Sequence, residues 1–272
     1  MLRRLFDRIA HAEAAPPWTV WNAISALVAA FMSVLLGTSV TLVITRSNGQ
    51  LTALLGWSIA AALIIAFILF TRRKPQEREA LRLNIWQYTP ASPSKTGKAI
   101  TPRDENVVPP LANLFFLLLV GVGLAVTLDV ITGRVTGLFL PEPELLRPYQ
   151  DYALNVPISG VTWLLAVVFM IVLQPIAEGL VFQGMLLPTL RQSVGPWPGY
   201  LISAALYGLF HLMAYSQPPG DFAATWYGLI APFFAGLIYG AVRLYTGSTR
   251  AAMLAHAAFG LFAVLKLLTL VG

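Results

Sequence analysis

The chain has 272 residues, 57% of them hydrophobic and 11% charged, with a mean hydropathy of +0.71; ordinary soluble domains run at about 45–50% apolar and roughly 25% charged. So little charge cannot cover a water-soluble globule of this size, which excludes a cytosolic enzyme, a nucleic-acid binder and a disordered chain. The basic balance (18 Lys and Arg against 12 Asp and Glu) then reads as orientation charge facing anionic lipid, and the lack of cysteine removes disulfides, thiolate nucleophiles and Cys-ligated zinc.

Taken in chain order, seven apolar stretches have the length of about 20 residues that a bilayer crossing needs. They run over 19–45, 51–70, 111–131, 161–190, 199–216, 225–243 and 251–270. The expected fold is all-α, a polytopic transmembrane helical bundle of about seven to eight spans. The segment before the first span, with Arg3, Arg4, Asp7, Glu13, Pro16 and Pro17, does not read as a cleaved signal. The fourth stretch is too long for one straight crossing and contains Pro175, which predicts a kink or a break into two helices. Three regions follow: a two-span portion over 1–70, a linker over 71–110, and a membrane core over 111–272.

With the N-terminus in the cytoplasm and seven alternating spans, 14 of the 18 basic residues collect on the cytoplasmic side, among them Arg72, Arg73, Arg78, Arg82, Arg191, Arg243 and Arg250. Arg46, Arg134, Arg147 and Lys266 fall on or near the other side. This bias predicts a multi-pass protein of the cell membrane with N-in topology. In the linker, Leu81, Ile85 and Tyr88 share a helical face beside Trp86, as in a short interfacial helix, with a solvated turn as the alternative. The following run TPASPSKTGKAITPRDENVVPP has loop composition.

An ionisable side chain within a span is costly and usually faces the bundle interior. Few are present. The fourth stretch carries Gln174, Glu178 and Gln183, the fifth Tyr207 and His211, and the seventh His256. His211 lies 12 residues into its span, roughly 18 Å along the axis, while His256 sits nearer the basic end. A carboxylate and two imidazoles on three helices suit water activation, with Glu178 as general base, one histidine sharing the proton and the other donating to an oxyanion. The same set, His/His/Glu, is a minor candidate for zinc, although no HExxH motif is present. Asp129 is expected at the outer interface, Gly236 and Gly240 in close helix packing, Glu142, Glu144 and Asp151 in a solvated outer loop, and His11 on the surface.

The segments AEGLVFQGMLLPTL, LYGLFHL and TGSTRAAMLAHAAFG resemble, in order and spacing, the three motifs of the CPBP (Abi) family of CAAX-processing and bacteriocin-processing membrane proteases. The likeness covers about 165–262. It implies a helical bundle with a catalytic cavity inside the membrane, open to the cytoplasm, and a metal-free, cofactor-free glutamate endopeptidase mechanism. Glu178 would activate water, His211 would follow from the Phe-x-x-x-His motif with Tyr207 at the aromatic position, and His256 would hold the oxyanion.

Three positions depart from the family pattern: Gly179 replaces a glutamate, Gln183 an arginine, and Gly260 an asparagine. Losing the glutamate and arginine together strands no buried charge; losing the asparagine removes an oxyanion donor, worth on the order of 10²–10³ in rate elsewhere. Two functions follow. One is an intramembrane endopeptidase acting on a peptide or membrane-anchored protein; the other is a catalytically impaired scaffold, assembly factor or subunit of a membrane complex, with Phe259 filling a smaller cavity. A secondary transporter fits poorly, since no internal repeat is visible.

Overall fold

In a computed structural model the described residues are 2–11, 13–46, 50–83, 110–139, 160–214 and 225–271. The run over 84–109, including Ile85, Trp86 and Tyr88, and the outer loop with Glu142, Glu144 and Asp151 lie outside them. Among the described residues every regular element is a helix. In chain order these are α1 (Leu2–Ala10), α2 (Val20–Thr45), α3 (Gln50–Thr71), α4 (Pro75–Ala80), α5 (Pro110–Phe139), α6 (Gly160–Val194), α7 (Pro196–Ala214), α8 (Trp226–Ile230 running into Ala231–Thr246) and α9 (Thr249–Val271). Five of these nine described helices (α2, α3, α5, α6 and α8) are long and apolar enough to cross a membrane; the two remaining predicted spans, α7 and α9, are helical as well. The protein is a helical membrane bundle.

Local chemistry explains the ends. Thr19 and Asn22 close a reciprocal capping box at the start of α2, satisfying donors that the first helical turn leaves open. Gly247 adopts φ +70°, a left-handed conformation that glycine reaches without a Cβ penalty, and so ends α8. Ser248 then accepts from the Ala251 N–H and starts α9, giving the TGS turn a mechanical role.

The predicted break at Pro175 is absent. α6 runs unbroken for 35 residues, carrying π-helical stretches at Phe169–Leu173 and Gly179–Leu186. Each stretch ends two residues before a proline (Pro175, then Pro188), and the π-helical opening of α8 ends two residues before Pro232. Proline lacks an N–H and crowds the carbonyl of the preceding turn; widening that turn accommodates the ring without breaking the helix. The result is one rod roughly 50 Å long, longer than the hydrocarbon layer of about 30 Å. Its first nine residues contain no buried position, whereas nearly everything over 177–191 is enclosed by other helices.

α2 and α3 form a hairpin whose backbones touch at Gly37 and Gly56, where a Cβ on Gly37 would sit 2.4 Å from the Gly56 carbonyl oxygen. The hairpin packs directly on the core: Trp57 lies 5.8 Å from Phe169 and Phe31 5.1 Å from Phe210, ring to ring. Buried residues of α2, α3, α5, α6, α7, α8 and α9 thus form one apolar cluster.

Two expectations need correction. Leu81 does not lie on an interfacial face; it is fully buried in that cluster, just after the short α4. Arg191 and Arg243 are not surface orientation charges, each being 1% exposed. The N-terminal segment folds back over them. α1 brings Ile9 against Leu187, Tyr200 and Leu244, and Trp18 donates its indole N–H to Thr189 Oγ1 at 2.9 Å. Asp129 pairs with Lys266 between α5 and α9, which partly buries both charges. Gly236 and Gly240 do serve packing, facing Tyr207 and Tyr200, and His11 is exposed.

Candidate active site

α6, α7 and α9 bring Glu178, His211 and His256 to one point. Glu178 Oε2 lies 3.6 Å from His211 Nε2 and 3.9 Å from His256 Nδ1. The carboxylate is 2% exposed and the His256 residue 7%. Glu178 ends the only α-helical turn between the two π stretches of α6, Gln174–Glu178. Residues four apart on an α-helix share a face, so the Gln174 amide reaches down and donates to Glu178 Oε1 at 3.0 Å. The two carboxylate oxygens are thereby distinguished: Oε1 is held by an amide, while Oε2 faces both imidazoles.

The tautomer of His211 follows from its neighbour. Its Nδ1 lies 3.0 Å from the Tyr207 carbonyl oxygen, one turn earlier on α7. A carbonyl only accepts, so this nitrogen carries the proton and donates, leaving Nε2 directed at the carboxylate. A neutral Nε2 and an ionised Oε2 are both acceptors, and an added proton or a bridging water is what makes their approach favourable.

Aromatic rings set the two histidines. Tyr239 of α8 stacks on the His256 ring with centroids 4.7 Å apart and an interplanar angle of 23°. Tyr207 contacts both imidazoles, at 4.4 Å from His211 and 6.4 Å from His256, and its far side is braced edge-on by Phe182 at 5.0 Å. Phe259 instead packs at the margin of the apolar core. Gln174 was visible in the sequence as an in-span polar group without a role. Tyr239 was not singled out, because a tyrosine among apolar residues of a helix is ordinary core composition.

The three departures have structural counterparts. A Cβ at Gly179 would fall 2.4 Å from Met253 Cγ, so the space where a second acidic side chain would start is filled by methionine. A Cβ at Gly260 would fall 2.1 Å from the Met170 carbonyl oxygen and 2.8 Å from its carbon. α9 therefore touches the first π stretch of α6 backbone to backbone, and no side chain fits at 260 without separating the helices. Gln183 is buried at 4% exposure. Among the described residues no three His, Asp or Glu groups are arranged to hold a metal ion.

A second ionic cluster lies at the basic end of the bundle. Glu13 Oε1 accepts from Arg191 Nη1 at 3.3 Å and from Arg243 Nη1 at 3.2 Å, and Oε2 accepts from Arg243 Nη2 at 3.2 Å. Arg191 Nη2 also donates to the backbone carbonyls of Arg8, Ile9 and His11 at 3.0, 3.0 and 2.6 Å. Burial alone would raise the Glu13 pKa, but the charges of Arg243, Arg82 and Arg191 and the bond from Arg243 outweigh it and hold the carboxyl below its ordinary value. This cluster straps the N-terminal segment to α6 and α8.

Residues 160–262 match the family described as Rce1-like, type II CAAX prenyl endopeptidase. The match contains Glu178, His211 and His256 and ends two residues past Gly260. No curated protein and no solved structure matches the chain. This Rce1-like segment is of the CPBP type that the three motifs resemble, and that family is one of membrane proteases.

Proposed function

We propose that the Rce1-like segment is a glutamate-type intramembrane endopeptidase, and the observation that carries this reading is the convergence of one carboxylate oxygen and two imidazole nitrogens within 3.9 Å. In the reaction, Glu178 Oε2 takes a proton from a water as its oxygen attacks a peptide carbonyl. His211 Nε2, kept facing the carboxylate by the bond from its Nδ1–H to Tyr207, shares that proton. His256 donates to the tetrahedral oxyanion from a ring whose plane Tyr239 fixes. Collapse of the intermediate returns the proton from Glu178 to the leaving amine, so the protein ends as it began. The substrate is a peptide or a membrane-anchored protein segment reaching the bundle from the lipid. We place the protein in the cell membrane, multi-pass, with its N-terminus in the cytoplasm, on the strength of the basic residues gathered at one end.

A specific observation favours a second reading. Met253 fills the space beside Gly179, and the Met170 carbonyl closes the position of Gly260, so the site works with fewer polar groups than the family pattern supplies. On that reading the bundle is a scaffold or a subunit of a membrane complex. The deciding experiment reconstitutes the full chain in liposomes with membrane-anchored peptide substrates and compares wild type, Glu178→Gln and His211→Ala. The endopeptidase reading expects each variant to cleave about 10²–10⁴-fold more slowly. Equal cleavage by all three overturns the mechanism. A silent wild type that copurifies with a partner, unaffected by Glu178→Gln, establishes the scaffold.

A further inference from the structure

The basic end of the bundle holds two kinds of arginine. Arg72 is paired with Glu77 at 3.1 Å, and Arg191 and Arg243 with Glu13. Arg78, Arg82 and Arg250 form no ion pair among the described residues, and these three line one open cleft of about 880 Å³. The acidic residues in its wall are Glu13 and Glu79. Glu13 already accepts from two guanidiniums through both oxygens, so only Glu79 offsets three arginines, and the wall carries a positive excess.

The cleft is built. Arg82 adopts φ +49°, a left-handed backbone that is costly for a residue with a Cβ. Its carbonyl accepts from the Thr249 N–H at 2.9 Å, which ties it to the first residue of α9. Arg82 is thus fixed beside Arg250, two arginines from distant parts of the chain on one wall. The positive end of the α9 dipole adds to the same field. The level is that of the membrane surface: α3 ends at Thr71, and Arg73 lies over the ring of Phe70, which is 70% exposed, at 5.2 Å. An apolar ring capped by a guanidinium marks a boundary between acyl chains and headgroups.

We infer that this cleft, with Arg78, Arg82 and Arg250 on its wall, is a binding site for the phosphate of an anionic phospholipid headgroup. The phosphate oxygens would accept from guanidiniums of two separate segments, while Pro16, Pro17 and Leu83 offer the apolar surface against which the glycerol backbone rests. Bound lipid would join α4, the N-terminal strap and the start of α9.

The test measures thermal unfolding of the full chain in mild detergent with added phosphatidylglycerol, phosphatidylcholine or inorganic phosphate. Phosphatidylglycerol is expected to raise the melting temperature and the other two to leave it unchanged. The double variant Arg78→Gln/Arg250→Gln, which keeps the strained Arg82 and the Glu13 cluster, should weaken phosphatidylglycerol binding about thirtyfold, at about a factor of five for each surface guanidinium. Arg3→Gln/Arg73→Gln loses the same net charge outside the cleft and should bind as wild type does. The inference falls if the cleft variant responds like wild type, if both doubles lose the response equally, or if phosphatidylcholine matches phosphatidylglycerol. A shift caused by inorganic phosphate alone reassigns the cleft to a soluble anion and overturns the lipid.

Discussion

Two buried carboxylates sit in this bundle under opposite conditions. Glu13, at the basic end, is gripped by two guanidiniums at 3.2–3.3 Å, one of them bidentate. Glu178, deep in the core, has one oxygen held by an amide and the other looking towards two imidazoles at 3.6 and 3.9 Å. The first arrangement fixes charge in place, since a forked guanidinium cannot give up its proton. The second leaves room for a proton to change owner, because imidazole and carboxylate both titrate in an accessible range. The difference separates a structural ion cluster from a reactive one without reference to any motif.

That contrast can be broken at its strongest point first. Glu13→Ala leaves Arg191 and Arg243 buried without their carboxylate, and should cost about 3–5 kcal/mol of stability, read by thermal unfolding in detergent. Glu178→Gln, which also removes a buried negative charge, should shift the melting temperature by no more than about 4 °C while abolishing cleavage. Equal destabilisation by the two would erase the distinction. Next in size, Gly260→Asn, which introduces the family's residue, should destabilise by about 1–3 kcal/mol through overpacking against the Met170 backbone. A gain of activity in that variant would show that the helices can part.

Two smaller effects sharpen the comparison. Gln174→Leu removes the donor to Glu178 Oε1 and should lower kcat/KM about tenfold with little change in melting temperature. The pH dependence of stability should report Glu13. Its folded pKa lies below the ordinary value of 4.5, so its contribution is fully present above that pH and is lost as pH falls through the lower, folded value. Wild type should therefore lose stability in acid more steeply than Glu13→Gln, measured as melting temperature against pH.

Much of the reactive site was legible because ionisable groups are scarce in the spans: Glu178, His211 and His256 stood out against an apolar background, and their helices do meet. The strap was not legible. Glu13 reaches Arg191 and Arg243 across 178 and 230 positions, and an arginine near a span end looks the same in sequence whether it faces headgroups or a buried acid. Leu81 was misread for a related reason, since apolar residues near the membrane surface pack into protein as readily as into lipid. Pro175 predicted an interruption; a proline signals local disturbance, and the helix met it by widening instead of stopping.

That widening bears on how the chain tolerates change in length. A π stretch holds one residue more than regular winding needs, so it is a stored insertion. Deleting one position within 179–186 would let α6 rewind tightly and turn everything beyond by about 100°. Glu178 would keep its phase, while Arg191 would swing out of reach of Glu13. The surplus residue thus sets the relative angular phase of the reactive carboxylate and the anchoring guanidinium on a single rod.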